Sequence, residues 1–190
     1  MKQIINTIYL LLLANTVLCA QSSIDFRPKV LNKELKKITG VNDIELAELH
    51  LTKAQTNNLH MGKFFTIDDL HVSSDVKYVY VGRANTCRMG GCSIASNNDK
   101  QSGHEFFDYY ILYTAAAAIK TVKLYNYQAS HGQEVTADSW LKQFRDYDGK
   151  QQLVAGKNFD AISGATVSVV ATAAEIEHTT KLLLTIIGIK

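Results

Sequence analysis

The sequence predicts an α+β fold, in which a small and mostly antiparallel sheet packs with helices and the chain ends on a long C-terminal helix. Short β-prone runs lie in the middle of the chain without the regular strand–helix alternation of doubly wound proteins. Residues 167–187 are rich in alanine and aliphatic side chains at helical spacing. With 46% hydrophobic residues among 190, the chain can form one packed domain. Its net charge is only +2 and no basic stripe predicts a nucleic-acid partner.

Residues 1–20 have the order of a secretory signal peptide. Lys2 supplies a positive charge, residues 8–14 form a Leu-rich run, and small residues surround Cys19 and Ala20. The apolar run is shorter than the roughly 20 residues that span a bilayer. We therefore expect cleavage after Ala20 and export to the periplasm or the cell surface. A retained membrane anchor and a lipid-modified Cys19, either of which would make the protein membrane-associated, are the alternatives.

Residues 21–70 are predicted to form a helical N-terminal extension. Leu31 and Leu35 fall at helical spacing, and Gly40 stands where a helix C-terminal cap is expected. A second and weaker helical pattern covers residues 44–51.

Residues 71–190 are predicted to form the main domain, and the β-prone pattern begins near Phe64. Its clearest runs are residues 76–81, 106–113 and 119–127. The last two are expected to pair as a hairpin, although their connector, residues 115–118, is four alanines and lacks the usual turn residues. Residues 140–144 predict a short amphipathic helix.

Two cysteines, Cys87 and Cys92, lie in a polar, Gly-rich loop. In an exported protein such a pair is expected to form a structural disulfide. A redox-active pair is the alternative, because the glycines and Arg88 between the cysteines would keep the loop open. Two thiols do not complete a structural zinc site, so no metal is expected.

The segment with the most chemical information is Asp160-Ala-Ile-Ser163-Gly164-Ala165-Thr166, immediately before the C-terminal helix. Ser163 and Thr166 are suited to a helix start, Gly164 allows close backbone approach, and Ala165 keeps the surface open. Backbone N–H groups at a helix start attract phosphate. On local chemistry alone, an ordinary helix cap is the alternative.

This segment, Asp160-x-x-Ser163-Gly164-Ala165-Thr166, resembles the flavinylation motif of FMN-binding domains. These domains occur in the flavin subunits of sodium-pumping NADH:quinone oxidoreductases and Rnf complexes, and in secreted stand-alone flavoproteins. In that family a flavin transferase uses FAD to attach FMN, through its phosphate, to the motif threonine. The resemblance implies that Thr166 is the acceptor and that Asp160 belongs to the element recognised by the transferase. It also implies that Ser163, Gly164 and Ala165 line the phosphate end.

The resemblance extends over about residues 109–174. The loop that contains His131 and Gly132 occupies the place of the family's loop near the flavin ring, and Trp140 lies in the short helix that follows. The loop departs from the Glu-Thr-Pro-Gly version of the respiratory subunits and looks more like that of secreted members. From the residues alone, His131 is an ordinary loop residue and Trp140 a core residue.

The resemblance implies an exported electron-transfer flavoprotein that carries FMN, rather than a stand-alone enzyme. The sequence has no nucleotide-binding Gly-rich loop, so electrons would come from a membrane-bound or extracytoplasmic redox partner. Two alternatives stay open: an unflavinated partner-binding module of the same fold, and, less favoured, a thiol–disulfide redox protein that uses Cys87 and Cys92.

Overall fold

The structure, a computed structural model, describes residues 23–67, 74–88 and 104–189. The predicted signal peptide lies outside these residues. Cys92 and the side chain of Cys87 also lie outside what is described, so the predicted disulfide stays a prediction. Within the described residues, no helix is long and apolar enough to cross a membrane.

Five strands form an antiparallel sheet in which neighbours in the chain are neighbours in the sheet. The strands are β1 (Leu46–Glu48), β2 (Gly62–Ile67), β3 (Val76–Arg88), β4 (His104–Thr114) and β5 (Ile119–Tyr125). This meander, together with the helices described next, confirms the predicted α+β fold. The predicted hairpin is also confirmed, since β4 pairs with β5.

Four α-helices accompany the sheet in the described part of the chain. They are α1 (Lys29–Thr39), α2 (Lys53–Asn58), α3 (Asp138–Leu141) and α4 (Thr166–Ile187). Short 3-10 turns flank α3, at Gln133–Thr136 and Lys142–Phe144. The predicted long C-terminal helix is confirmed, because α4 has 22 residues and ends at Gly188, whose φ of 72° suits glycine.

The sheet separates two cores, because successive side chains of a strand point to opposite faces. The face that packs with α4 includes four residues in register across β2 to β5: Phe64, Tyr80, Ile111 and Val122. The opposite face includes Phe65, Val79 and Leu112, which pack with Leu31 and Leu35 of α1. Each face therefore has one principal helix against it.

The predicted second helix over residues 44–51 is wrong. Residues 46–48 instead form β1, which pairs with β2. A three-residue run has too little local pattern to specify a helix or a strand, and here the neighbouring strand supplies the backbone partners. Because β2 lies in the predicted N-terminal extension and pairs with β3 of the predicted main domain, both segments contribute strands to one sheet. The first predicted helix is confirmed as α1, with Gly40 as its C-terminal cap at φ 76°.

The turn between β4 and β5 explains how four alanines can close a hairpin. Thr114 supplies the polar chemistry, because its Oγ1 accepts hydrogen bonds from the backbone N–H groups of Ala116 at 3.3 Å and Ala118 at 3.1 Å. Ala117 adopts a φ of 60°, and its N–H donates to the Thr114 carbonyl at 3.0 Å. Thr114, the last residue of β4, thus makes the side-chain hydrogen bonds that Asn or Asp would make in a typical turn.

Candidate functional site

Helix α4 begins at Thr166, the predicted attachment residue, whose side chain is exposed. The first helical hydrogen bond runs from the Val169 N–H to the Ala165 carbonyl at 2.9 Å. The N–H groups of residues 166–168 make no hydrogen bond to any described residue, and no side chain caps the helix. Neither Ser163 nor Thr166 therefore caps the helix with its side chain. The helix start presents N–H donors and a hydroxyl, which together suit a phosphate group.

A tight turn at Ser163 and Gly164 leads into the helix. Both residues are exposed, and Gly164 has a φ of 82° with nothing within 4 Å of the position a Cβ would take. Glycine is therefore needed for the backbone conformation, and the space outside it is open to another molecule. Ala165, in contrast, is buried, and its N–H donates to the Ile162 carbonyl at 3.2 Å.

Trp140 holds the backbone of the motif's first residue. Its indole Nε1–H donates to the Asp160 carbonyl at 2.8 Å, and the Asp160 N–H donates to Gln143 Oε1 at 2.6 Å. The indole also packs edge-on against Phe144 and Phe159, with centroids 5.2 Å and 6.3 Å away. Trp140 is thus a core and positioning residue, while the Asp160 side chain is exposed.

The loop with His131 and Gly132 docks on the first turn of α4. Tyr127 donates its hydroxyl proton to the His131 carbonyl at 2.7 Å and lies 2.8 Å from Ser168 Oγ, so Ser168 is the donor in the second bond. Gly132 is buried at φ 83°, and a Cβ there would lie 2.6 Å from Ser168 Oγ. The side chain of His131 is exposed.

Thr166 and this loop lie on different sides of α4. A helix advances about 100° per residue, so Ser168 is on the opposite side of the helix from Thr166, whereas Val170 and Ala173 lie on the same side. The structure therefore brings Gly132 close to the start of the helix, but not to the side that carries the Thr166 hydroxyl.

A hollow of about 400 Å³ lies along the Thr166 side of α4, starting one turn from that residue. Its apolar lining includes Val170, Ala173, Phe159 and Leu153. Val170 and Val167 are 57% and 42% exposed, although large apolar side chains are mostly buried in this protein. The start of α4 therefore has an apolar surface beside its polar donors.

Two contributors to this geometry were missed by sequence reasoning. Ser168 and Gln143 contact the predicted residues through side-chain hydrogen bonds. A signal for Ser168 was present, since it is a hydroxyl on the buried stripe of an apolar helix, where a polar group needs a partner. Gln143 had no such signal, because it depends on how the short helix meets residue 160.

No protein-family model matches the chain, and no curated protein sequence matches it.

Gly132→Ala is expected to lower the free energy of unfolding by about 2–4 kcal/mol, from left-handed backbone strain and a clash with Ser168. Gly156→Ala is the matched control, because Gly156 has a φ of 78° but nothing within 4 Å of its Cβ position. The control should lose only about 1–2 kcal/mol, the strain alone. Urea denaturation measures both, and equal losses would show that the loop does not pack tightly on α4.

Proposed function

We propose that this protein is an exported carrier of FMN, esterified through its phosphate to Thr166, that passes electrons between redox partners. The observation that carries the proposal is the start of α4, where the exposed Thr166 hydroxyl lies beside backbone N–H groups that no described residue accepts. A phosphoester here would receive charge-assisted hydrogen bonds and the favourable end of the helix dipole.

The residues around Thr166 fit such a group. Gly164 leaves open space at the turn, and the hollow lined by Val170 and Ala173 offers an apolar surface on the same side of the helix. An aromatic ring would bury apolar area in that hollow. When bound, FMN supplies the redox chemistry, and the protein's part is to hold the cofactor, orient it and set its surroundings.

The fixed backbone before the helix supports recognition by a flavin transferase. Trp140 and Gln143 hold Asp160 through its carbonyl and N–H, so its exposed carboxylate is presented at a defined place. A modifying enzyme gains from such a preorganised segment, because less conformational entropy is lost on binding. The electron donor is proposed to be a membrane-bound or extracytoplasmic redox protein.

An unflavinated partner-binding module is the second candidate. The exposed side chains of Val167 and Val170 favour it, because clustered apolar surface is also typical of protein contacts. The two candidates differ in colour, since only the flavin carrier absorbs visible light.

The deciding experiment is the intact mass of the protein after co-expression with a flavin transferase. We expect the parent to gain the mass of one FMN minus one water and Thr166→Val to gain nothing. Thr185→Val is the matched control, because Thr185 is exposed near the other end of α4, and it should be modified like the parent. Thr166→Ser retains a hydroxyl and should retain some modification.

Two results would contradict the proposal. An unmodified parent, with the transferase active on a known substrate, would exclude covalent attachment and leave the partner-binding module. A modified Thr166→Val variant would show that the acceptor is another residue. Visible absorbance of the purified protein then tells whether flavin is bound without a covalent bond.

A further inference from the structure

A groove of about 730 Å³ runs along β5, one of the two edge strands of the sheet. One wall is α1, and the other is α3 with the 3-10 turn that follows it. The groove has no lining residue in common with residues 158–168 or with the loop at Gly132. It is therefore a separate feature from the candidate flavin site.

Positive charge is concentrated on the walls of this groove. The cationic side chains are Lys33, Lys36 and Lys37 of α1, Lys120 and Lys123 of β5, and Lys142 and Arg145 beyond α3. Among the described residues, the lining contains only two acidic residues, Glu34 and Asp138. The whole chain has 20 basic and 18 acidic residues, so with these seven and two set aside, acidic residues outnumber basic ones by 16 to 13. The groove is therefore strongly basic although the net charge of the whole chain is only +2.

Five of these seven cations are not neutralised by any residue in the described part of the chain. Lys123 pairs with Asp138 at 2.6 Å and Lys120 with Asp75 at 2.5 Å. The other five make no ion pair with a residue in the described ranges. Like charges three and four residues apart on α1 repel each other, so an anion in the groove would relieve that repulsion.

The floor of the groove is largely apolar, and Tyr110 and Thr121 each contribute a hydroxyl-bearing side chain to the lining. Val122 and Leu141 belong to the core that packs with α4, and Tyr110 belongs to the core that packs with α1. The Tyr110 side chain is almost wholly buried, yet its hydroxyl makes no hydrogen bond to a described residue. Val30, at the α1 wall, is 42% exposed. Apolar surface and a hydrogen-bonding hydroxyl therefore lie beneath the basic walls.

We propose that this groove binds a small amphipathic anion, a molecule with a phosphate or carboxylate head and an apolar body. The head contacts the lysines and Arg145, and the body covers Tyr110, Val122 and Leu141. The volume lies in the range of small-molecule pockets. The concave shape and apolar floor favour such a ligand over nucleic acid, whose backbone would use only the basic walls.

The test is calorimetric titration of the full protein with monomeric dodecyl phosphate, below the concentration at which it forms micelles. Inorganic phosphate and dodecyltrimethylammonium are the comparison ligands, since each has only one half of the proposed chemistry. We expect dodecyl phosphate to bind at least about tenfold more tightly than either.

A charge-reversal pair locates the site. Lys37→Glu combined with Lys142→Glu changes two exposed residues of the groove, and Lys53→Glu combined with Lys157→Glu makes the same charge change elsewhere on the surface. The first double variant should bind dodecyl phosphate about tenfold more weakly, whereas the second should stay within about twofold of the parent. Tyr110→Phe should weaken binding a few-fold, because only the hydroxyl is lost.

Several results would overturn the proposal. Equal losses in the two double variants would mean that binding follows net charge and not the groove. Equal affinity for inorganic phosphate would mean that the apolar floor is not used. Binding to vesicles that contain phosphatidylglycerol but not to the monomeric amphiphile would indicate a membrane surface, and tighter binding of a single-stranded oligonucleotide would indicate a nucleic-acid site.

Discussion

Asp108→Ala is expected to destabilise the protein by about 3–5 kcal/mol, because it removes one partner of a buried ion pair. Asp108 is 1% exposed and lies opposite Arg83 in the register of β3 and β4. The pair is bidentate, with Nε to Oδ1 at 2.6 Å and Nη2 to Oδ2 at 3.1 Å. The substitution takes away a carboxylate that pairs with the buried guanidinium, which also lies 3.8 Å from the centre of the Phe106 ring.

Asp108 also connects the sheet to the loop that docks on α4. The Asn126 side-chain amide donates to Asp108 Oδ2 at 2.7 Å, and Asn126 directly precedes Tyr127. Asn126 has a φ of 46°, a conformation that asparagine tolerates better than most residues. Loss of Asp108 should therefore loosen the contact of Tyr127 with Ser168 as well as the strand pair.

Two variants make this prediction testable by urea denaturation. Arg83→Met with Asp108→Leu removes both charges and should be less destabilised than Asp108→Ala alone. Glu48→Ala breaks the exposed pair of Glu48 and Lys63, at 2.7 Å, and should cost less than about 1 kcal/mol. If Asp108→Ala costs no more than Glu48→Ala, the buried pair does not contribute as described.

The elements that were predicted correctly are those whose residues carry a repeated local pattern. In α1, Leu31 and Leu35 mark one helical face and Gly40 marks the end, and α4 repeats its apolar stripe over 22 residues. Strand β1 could not be predicted in the same way. Leu46 faces a core only because β2 pairs beside it, and that pairing joins residues that are distant in the sequence.

In the candidate site, too, the features set by local sequence were predicted and those set by tertiary contacts were not. The turn and the helix start next to Thr166 followed from residue types in one short segment. The side of the helix against which the loop at Gly132 packs could not be predicted in this way. It depends on the hydrogen bond between Tyr127 and Ser168, which are 41 residues apart in the sequence. A motif can therefore name the residues of a site, but the packing of the helix decides which of them face each other.

Raising the pH above about 10 is expected to destabilise the fold steeply, because burial raises the pKa of many tyrosines in the folded state. Burial raises the pKa of six of them: Tyr80, Tyr109, Tyr110, Tyr113, Tyr125 and Tyr127. Burial together with Glu177 and Asp148 raises the pKa of Tyr147 to about 12. In the unfolded chain each loses its proton near pH 10.

The folded state therefore binds more protons than the unfolded state above pH 10, so the free energy of unfolding falls as the pH rises. Each tyrosine that stays protonated contributes up to about 1.4 kcal/mol per pH unit to that fall, until the pH reaches its pKa in the folded state. Below pH 10 the tyrosines are protonated in both states, so their full contribution to the free energy of unfolding is present. Urea denaturation at pH 9, 10 and 11 measures the slope, and a free energy of unfolding that stays constant to pH 11 would contradict the prediction.

Tyr113→Phe isolates the contribution of one tyrosine. The Tyr113 hydroxyl lies 3.2 Å from Oγ1 of both Thr179 and Thr180. Those hydroxyls also donate to the backbone carbonyls of Glu175 and Ile176, so they keep a partner in the variant. We expect a modest change in stability at pH 7, of about 1 kcal/mol. Between pH 10 and 11 the variant should lose up to about 1.4 kcal/mol less than the parent, because one fewer proton separates its folded and unfolded states. An unchanged slope would mean that Tyr113 ionises in the folded protein as readily as in the unfolded chain.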